Sequence, residues 1–454
     1  MRVSLSKKNL AADQAVPQTK MAYITNVYPL LSETFIVSEV KSLIQAGFPV
    51  RVFSLFEPRT RENELDDAEL KAQTIYWAPN MRLGKVLPAH WYFIWHAPRT
   101  YLRTLRYAVQ HRNRQASLRS LVRWSLNGGR QRKQLSTADL QNLLLHFVVV
   151  MPFAALIRRE GYTWMHAAFA NTPSSFALLT SKLTGVPYSV SAHAMDIFIT
   201  PEILAEKLNN ARFVVTCNHY NKSFLEEYYP EVRQDNIHPI YHGTDLQRFS
   251  AADRNEKAAP PVLLAVGRLV RKKGLAVLLR AGLMLKQRGV AFQIWIVGEG
   301  PERPRLEMFC RIHHLHETVK FYGACMPEEI KSYYQKATLF VLPCVQDENG
   351  DRDGIPNVIA EAMAMRLPVI SSYLSAIPEL VNNRVTGRLL APNDPDELAA
   401  VIQELLEDPA LAKRMGAMGR KRVEELFDSR KTLRELIALF EEQIAPVEDA
   451  RAAT

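Results

Sequence analysis

Between residues 262 and 428, short apolar runs alternate with helix-forming stretches, and this rhythm constrains the fold more than any other feature. Strands are expected at Val262–Val266, Gln293–Val297, Lys320–Tyr322, Thr338–Leu342 and Pro368–Ser371. Helices are expected at Leu275–Arg288, Pro301–His313, Pro327–Gln335, Pro356–Met365 and Asp396–Leu406. A strand-then-helix alternation of this length calls for crossover connections, and so for an α/β fold with a mainly parallel sheet. Such sheets bind ligands at the carboxyl ends of their strands.

The first half repeats the rhythm more loosely. Ala22–Val27 and Val50–Leu55 read as strands around a helix at Glu33–Ala46, with later strands at Met165–Phe169, Tyr188–Ala192 and Phe213–Cys217. A chain of 454 residues is too long for one ordinary core. Two Rossmann-like domains therefore follow, 21–249 and 262–428, joined by a linker at 250–261 rich in alanine and proline. Residues 1–20 read as a flexible tail without a signal-peptide core, and 429–454 as a closing helix and tail.

The net charge of +10 implies an anionic partner. Four scattered cysteines, without C-x-x-C spacing, suggest neither a disulfide framework nor a zinc site, and fit a reducing cytoplasm. No apolar run approaches the ~20 residues of a spanning helix. From Leu70 to Ala138 there is no Asp or Glu. Arg99, Arg103 and Arg106 share one helical face there, with Leu102, Leu105 and Val109 on another and Trp91 and Trp95 nearby. A basic helical insertion at about 80–138 thus resembles a membrane-interface pattern, with a solvated positive insertion as the plain alternative.

Three runs at strand ends carry chemistry. In Gly267-Arg268-Leu269-Val270-Arg271-Lys272-Lys273-Gly274, Gly267 permits a tight turn, and Arg268 and Lys273 can converge on a diphosphate. A solvated basic turn explains the same run taken alone. Gly298-Glu299-Gly300-Pro301 lets backbone approach a nucleotide, though such turns are common between strand and helix. In Asp353-Gly354-Ile355-Pro356-Asn357 through Glu361, two carboxylates stand eight positions apart around a helix start. Pro356 suits the first turn, and the free N–H groups there suit a phosphate. There is no G-x-G-x-x-G, which argues against a dinucleotide oxidoreductase.

In the first half, His193 follows a strand in Ser191-Ala192-His193-Ala194-Met195-Asp196. It can present a donor toward a phosphate or sugar, or serve only structure, while Asp196 can cap the next turn. Tyr241-His242-Gly243-Thr244-Asp245 reads equally as a turn or a ligand contact. Ser32 is a candidate helix cap with Glu33 in the first turn, and an acceptor contact is the sharper reading of Glu33.

Taken together these runs resemble glycosyltransferase family 4, the retaining enzymes of GT-B fold. The likeness rests on G-R-L-x-x-x-K-G at Gly267–Gly274, G-E-G-P at Gly298–Pro301 and G-I-P-N-V-x-x-E-A-M-A at Gly354–Ala364. Pro368-Val369-Ile370, Ile377-Pro378-Glu379-Leu380-Val381 and Gly387 continue it. Tyr28-Pro29, Ser32-Glu33-Thr34-Phe35 and Ser191–Phe198 resemble the colanic-acid and amylovoran exopolysaccharide subgroup.

The resemblance implies two Rossmann-like domains facing across a cleft, the first for the acceptor and the second for a nucleoside diphosphate sugar carrying UDP or GDP. It implies that Arg268 and Lys273 neutralise the leaving diphosphate, Glu361 holds the ribose hydroxyls, Asp353 holds donor-sugar hydroxyls, and His193 approaches the donor from the opposite domain. Backbone at Gly354, Ile355, Pro356 and Asn357 helps hold the sugar or phosphate, and Gly267, Gly298, Gly300 and Pro301 shape the nucleotide pocket. No cofactor and no metal is expected, which makes the two cations necessary.

Aspartate at 353 departs from the family's usual glutamate and reaches roughly 1.5 Å less far. Glu348 and Asp351 stand near enough in sequence to supplement it. The expected acceptor is a glycan or polyprenyl-linked saccharide, at the inner membrane face or in the cytoplasm, and nucleic acid is not expected. The competing reading is a catalytically weak GT-B-like protein that binds an anionic polymer or membrane. A sugar-nucleotide epimerase or phosphorylase is a further enzyme alternative.

Overall fold

The structure, a computed structural model, describes residues 19–30, 33–58, 68–112, 142–199, 201, 203–250 and 260–444. Ser32, nearly all of the tail 1–20, residues 113–138 of the basic insertion, most of the linker 250–261 and the last ten residues lie outside the described residues.

Two sheets, each parallel throughout, form the frame. The first has seven strands: β1 (Met21–Val27), β2 (Val50–Phe56), β3 (Thr74–Tyr76), β4 (Trp164–Ala167), β5 (Tyr188–Ala192), β6 (Val214–Thr216) and β7 (Ile237–Pro239), in the order β3-β2-β1-β4-β5-β6-β7. The second has six: β8 (Val262–Val266), β9 (Gln293–Val297), β10 (Val319–Gly323), β11 (Leu339–Val341), β12 (Val369–Ser372) and β13 (Arg388–Leu390), in the order β10-β9-β8-β11-β12-β13. The order reverses between β1 and β4 and again between β8 and β11, and each reversal opens a crevice at the strands' carboxyl ends. Helices cover both faces, so β8 (Val-Leu-Leu-Ala-Val) is buried along its whole length.

The anticipated strands and helices are present to within a few residues at their ends. The additional strands β3, β7 and β13 are three residues each, too short for periodicity to reveal. Pro356 stands one place ahead of the helix Asn357–Ala364 instead of inside its first turn, because its ψ of 123° is extended.

The closing helix Ser429–Ile444 packs Leu436, Leu439, Phe440 and Ile444 beside Met21, Tyr23, Ile36 and Val40, so the chain returns to the first sheet after completing the second. In the basic helix Pro98–Gln110, Thr104 and Ala108 are the buried residues, while Leu102 and Val109 face solvent among the arginines. Tyr101, Leu105 and Tyr107 are half-buried against the core of the first half. Pro152 does not break the apolar run after residue 142, which forms one buried helix, Leu143–Arg159.

Candidate active site

The loops after β8, β9 and β11 meet at the second sheet's crevice. Gly267 N–H donates to the Val297 carbonyl, Leu269 N–H to the Glu299 carbonyl, and Glu302 N–H to the Leu269 carbonyl, which joins the first two loops. Gly298 has φ 140°, and a side chain there would run into the Gly267 carbonyl. Gly300 and Pro301 lead from that junction toward the helix Arg303–Ile312.

Beside this junction lies an alternating set of charges. Lys273 Nζ stands 2.7 Å from Asp353 Oδ2, and Lys272 Nζ stands 3.3 Å from Asp353 Oδ1 and 2.9 Å from Asp351. Burial works against the charge of both partners at the centre. The Asp353 carboxylate nevertheless holds Lys273 above the ordinary lysine range, and the two lysines hold Asp353 below the ordinary carboxylate range. Both stay ionised around neutrality. The short side chain of Asp353 thus reaches Lys273 and is not left idle. Asp351 supplements it through Lys272, whereas Glu348 turns away to Arg271 at 2.7 Å. Arg268 is exposed but within electrostatic reach of Lys273.

Glu361 lies one turn into the helix Asn357–Ala364 and accepts a 2.8 Å hydrogen bond from the buried Tyr334 hydroxyl. Burial pushes its carboxyl up, opposed by Tyr334 and by the positive charge of Arg248. Sequence alone gave no signal for Tyr334, Arg248 or Lys272.

The first sheet presents His193 directly after β5. Its Nε2–H donates to the Ala168 carbonyl at 3.1 Å, and its ring lies among Phe35, Phe169 and His242. Burial lowers its pKa to about 4, tempered by that hydrogen bond. Asp196 caps as expected, its Oδ2 accepting from the backbone N–H groups of His193 and Ala170 at 3.1 and 3.0 Å. Glu33 is pushed up to about 7, chiefly by burial, with Arg268 acting in the opposite direction from the second sheet.

Several contacts bind the two halves together. His242 is hydrogen-bonded to the Asn357 side chain and stacks on Phe35 at 4.0 Å. A Cβ on Gly354 would fall 2.6 Å from Asn218 Nδ2, so only glycine lets these loops approach. The Arg352 guanidinium sits 4.0 Å over the Phe198 ring. Glu379 accepts from the backbone N–H groups of His219 and Tyr220 at 3.0 and 2.6 Å and from the Tyr241 hydroxyl at 2.7 Å, capping a helix of the other half. Glu379→Ala removes this cap at a cost of about 1–2 kcal/mol. The equilibrium between the two halves joined as here and the two halves apart then shifts roughly tenfold toward separation, read as a larger radius of gyration in solution scattering. Scattering identical to wild type would contradict this.

Comparison with known proteins fits this architecture. The model for glycosyl transferases group 1 matches residues 247–422, and that for Glycosyltransferase Family 4 matches residues 127–248. The amylovoran biosynthesis glycosyltransferase AmsK of Erwinia amylovora is 28% identical over 434 residues, covering 93% of this chain and 99% of its own. The chain belongs to glycosyltransferase family 4. As a member it is a retaining transferase. Its likeness to the putative colanic acid biosynthesis glycosyltransferase WcaL of Escherichia coli K12 is 28% over 436 residues, 93% of this chain and 99% of the relative. Among solved structures, Anabaena HepE in complex with UDP-glucose superimposes with a TM-score of 0.61 at 14% identity, covering 93% of this chain and 99% of that one. That likeness bears out the GT-B fold. Among the described residues, no helix is long and apolar enough to cross a membrane.

Proposed function

We propose that this family 4 transferase moves a sugar from a nucleoside diphosphate sugar, UDP- or GDP-linked, to a hydroxyl of a glycan or lipid-linked acceptor in exopolysaccharide or other cell-surface polysaccharide synthesis. The observation that carries this reading is the Lys273–Asp353 pair beside the glycine junction, with Glu361 on the adjoining helix. Full-length likeness to AmsK and WcaL supports the polysaccharide setting.

In this reading Lys273 and Arg268 receive the diphosphate, and Glu361 accepts from the ribose hydroxyls. Asp353 accepts from donor-sugar hydroxyls while Lys273 and Lys272 keep it ionised. Backbone at Gly354–Asn357 and the loops at Gly267 and Gly298–Pro301 complete the pocket. The C1–O bond to phosphate breaks as the acceptor oxygen bonds C1 on the same face, and the acceptor proton passes to the departing phosphate oxygen. Positioning and charge stabilisation lower the barrier. His193 borders the donor and is not the base, since the departing phosphate oxygen takes the acceptor proton; its Nε2–H is committed to Ala168 and does not reach the donor. A panel of UDP-, GDP- and ADP-sugars, read by release of nucleoside diphosphate, tests the reading. Release from one nucleotide class supports it, and release from none contradicts it.

In the same reading the acceptor lies at an anionic membrane surface. Leu87, Trp91 and Trp95 project from one face of the helix Leu83–His96, with Trp95 76% exposed, and Leu102 is 62% exposed between Arg99 and Arg106. Apolar side chains ringed by cations suit a lipid headgroup region. Wild-type protein should sediment with vesicles containing anionic lipid, and Trp91→Ala/Trp95→Ala should bind at least tenfold less. Equal sedimentation of both proteins would contradict the placement.

A further inference from the structure

Three neighbouring strands of the first sheet each deliver a soft donor to one point. His193 follows β5, Cys217 follows β6, and His242 stands three residues beyond β7. One nitrogen of each imidazole and the Cys217 sulfur lie within 4.8 Å of one another. All three line a small cavity that Glu39 and Ser191 also border. No sequence spacing announces this group, because the residues are far apart along the chain and only strand adjacency brings them together.

The surroundings suit ligation. Ala168 takes the Nε2–H of His193, which fixes the proton and leaves the lone pair on the other nitrogen, where a metal would displace the capping Asp196 N–H. Asn357 holds the His242 ring. A hydrogen bond that orients the ring is what ligating histidines ordinarily have. The side-chain amides of Asn218 and Asn221 lie 3.4 and 3.5 Å from Cys217 Sγ, as donors that favour a thiolate. Burial keeps both imidazoles neutral around pH 7, with pKa values lowered to about 4 for His193 and about 3 for His242. Burial also pushes the Cys217 thiol up to about 12, so binding must displace its proton.

Zinc–nitrogen distances of about 2.0–2.1 Å and zinc–sulfur distances of about 2.3 Å put tetrahedral donors roughly 3.3–3.6 Å apart. Closing from the present separation takes side-chain rotations of about 1 Å, with a water as fourth ligand.

We propose that His193, Cys217 and His242 form a binding site for a thiophilic divalent cation of the zinc class, which inhibits transfer when occupied. Binding forms two metal–nitrogen bonds and one metal–sulfur bond and releases the Cys217 proton to solvent. The bound ion takes His193 out of the donor cleft and ties His242, and through it Asn357 of the other half, in place.

Cobalt(II), a spectroscopic substitute for zinc, tests this on the full chain after chelator treatment, with no reliance on transfer activity. The expected result is one cobalt per chain with a thiolate-to-cobalt charge-transfer band. Cys217→Ser should remove the band and weaken binding at least tenfold, while Cys325→Ser keeps both. His242→Gln should also weaken binding at least tenfold with the thiol intact, which covers a Cys217→Ser protein that fails to fold. Absence of the band in wild type, its persistence in Cys217→Ser, or unchanged affinity in His242→Gln would overturn the proposal. In the same series zinc should inhibit wild-type nucleotide release at concentrations at least tenfold below those needed for Cys217→Ser; equal sensitivity would overturn the inhibitory role.

Discussion

Lys273→Ala is expected to lower kcat about 10²–10³-fold, the usual loss when one preorganised group facing developing charge is removed. Lys273 is enclosed, stays protonated beside Asp353 at 2.7 Å, and stands beside the glycine junction of the Gly267 and Gly298 loops. In the proposed reading, its loss removes positive charge where the diphosphate departs. It also leaves Asp353 with Lys272 alone, at 3.3 Å. Lys273→Arg keeps the charge but spreads it over a planar fork, so it should recover only part of the rate. Steady-state kinetics on folded variants make the check. Equal turnover by wild type and Lys273→Ala would remove this lysine from the reaction.

Glu361→Ala is expected to act mainly through donor affinity. A charged acceptor of hydrogen bonds contributes about 1.5–3 kcal/mol, equivalent to roughly 10–150-fold in KM for the nucleotide sugar. The change also deprives the buried Tyr334 hydroxyl of its 2.8 Å partner, leaving only the longer contact to the Val358 carbonyl at 3.4 Å. Glu361→Gln keeps an acceptor for Tyr334 and should separate the two effects. Its KM should rise less than that of Glu361→Ala, with thermal stability near wild type. An unchanged donor KM in Glu361→Ala would show that the ribose is held elsewhere.

Much of the second half was legible because its strands are buried on both faces and read as continuous apolar runs. Val262–Val266 and Gln293–Val297 coincide with β8 and β9. The first half was less so: β3 and β7 carry too few residues to set a period. The motif residues Lys273 and Asp353 announced themselves by type and spacing, yet their pairing is a matter of distance. Lys272 looked like one more surface lysine in a basic turn, and in the structure it is buried between Asp351 and Asp353. Tyr334 and Asn218 reach the site only through folding, and nothing local marks them. In the basic helix the sequence carries the amphipathic pattern but not its exposure: Leu102 and Val109 lie in solvent, while Thr104 and Ala108 are buried.

Calorimetric titration of UDP and GDP into the purified chain and into Lys273→Ala and Glu361→Ala tests the central claim most directly. The account predicts one nucleotide bound per wild-type chain, with a preference for one base and affinity at least tenfold weaker in each variant. Binding of neither nucleotide, or binding that both substitutions leave unchanged, would contradict it.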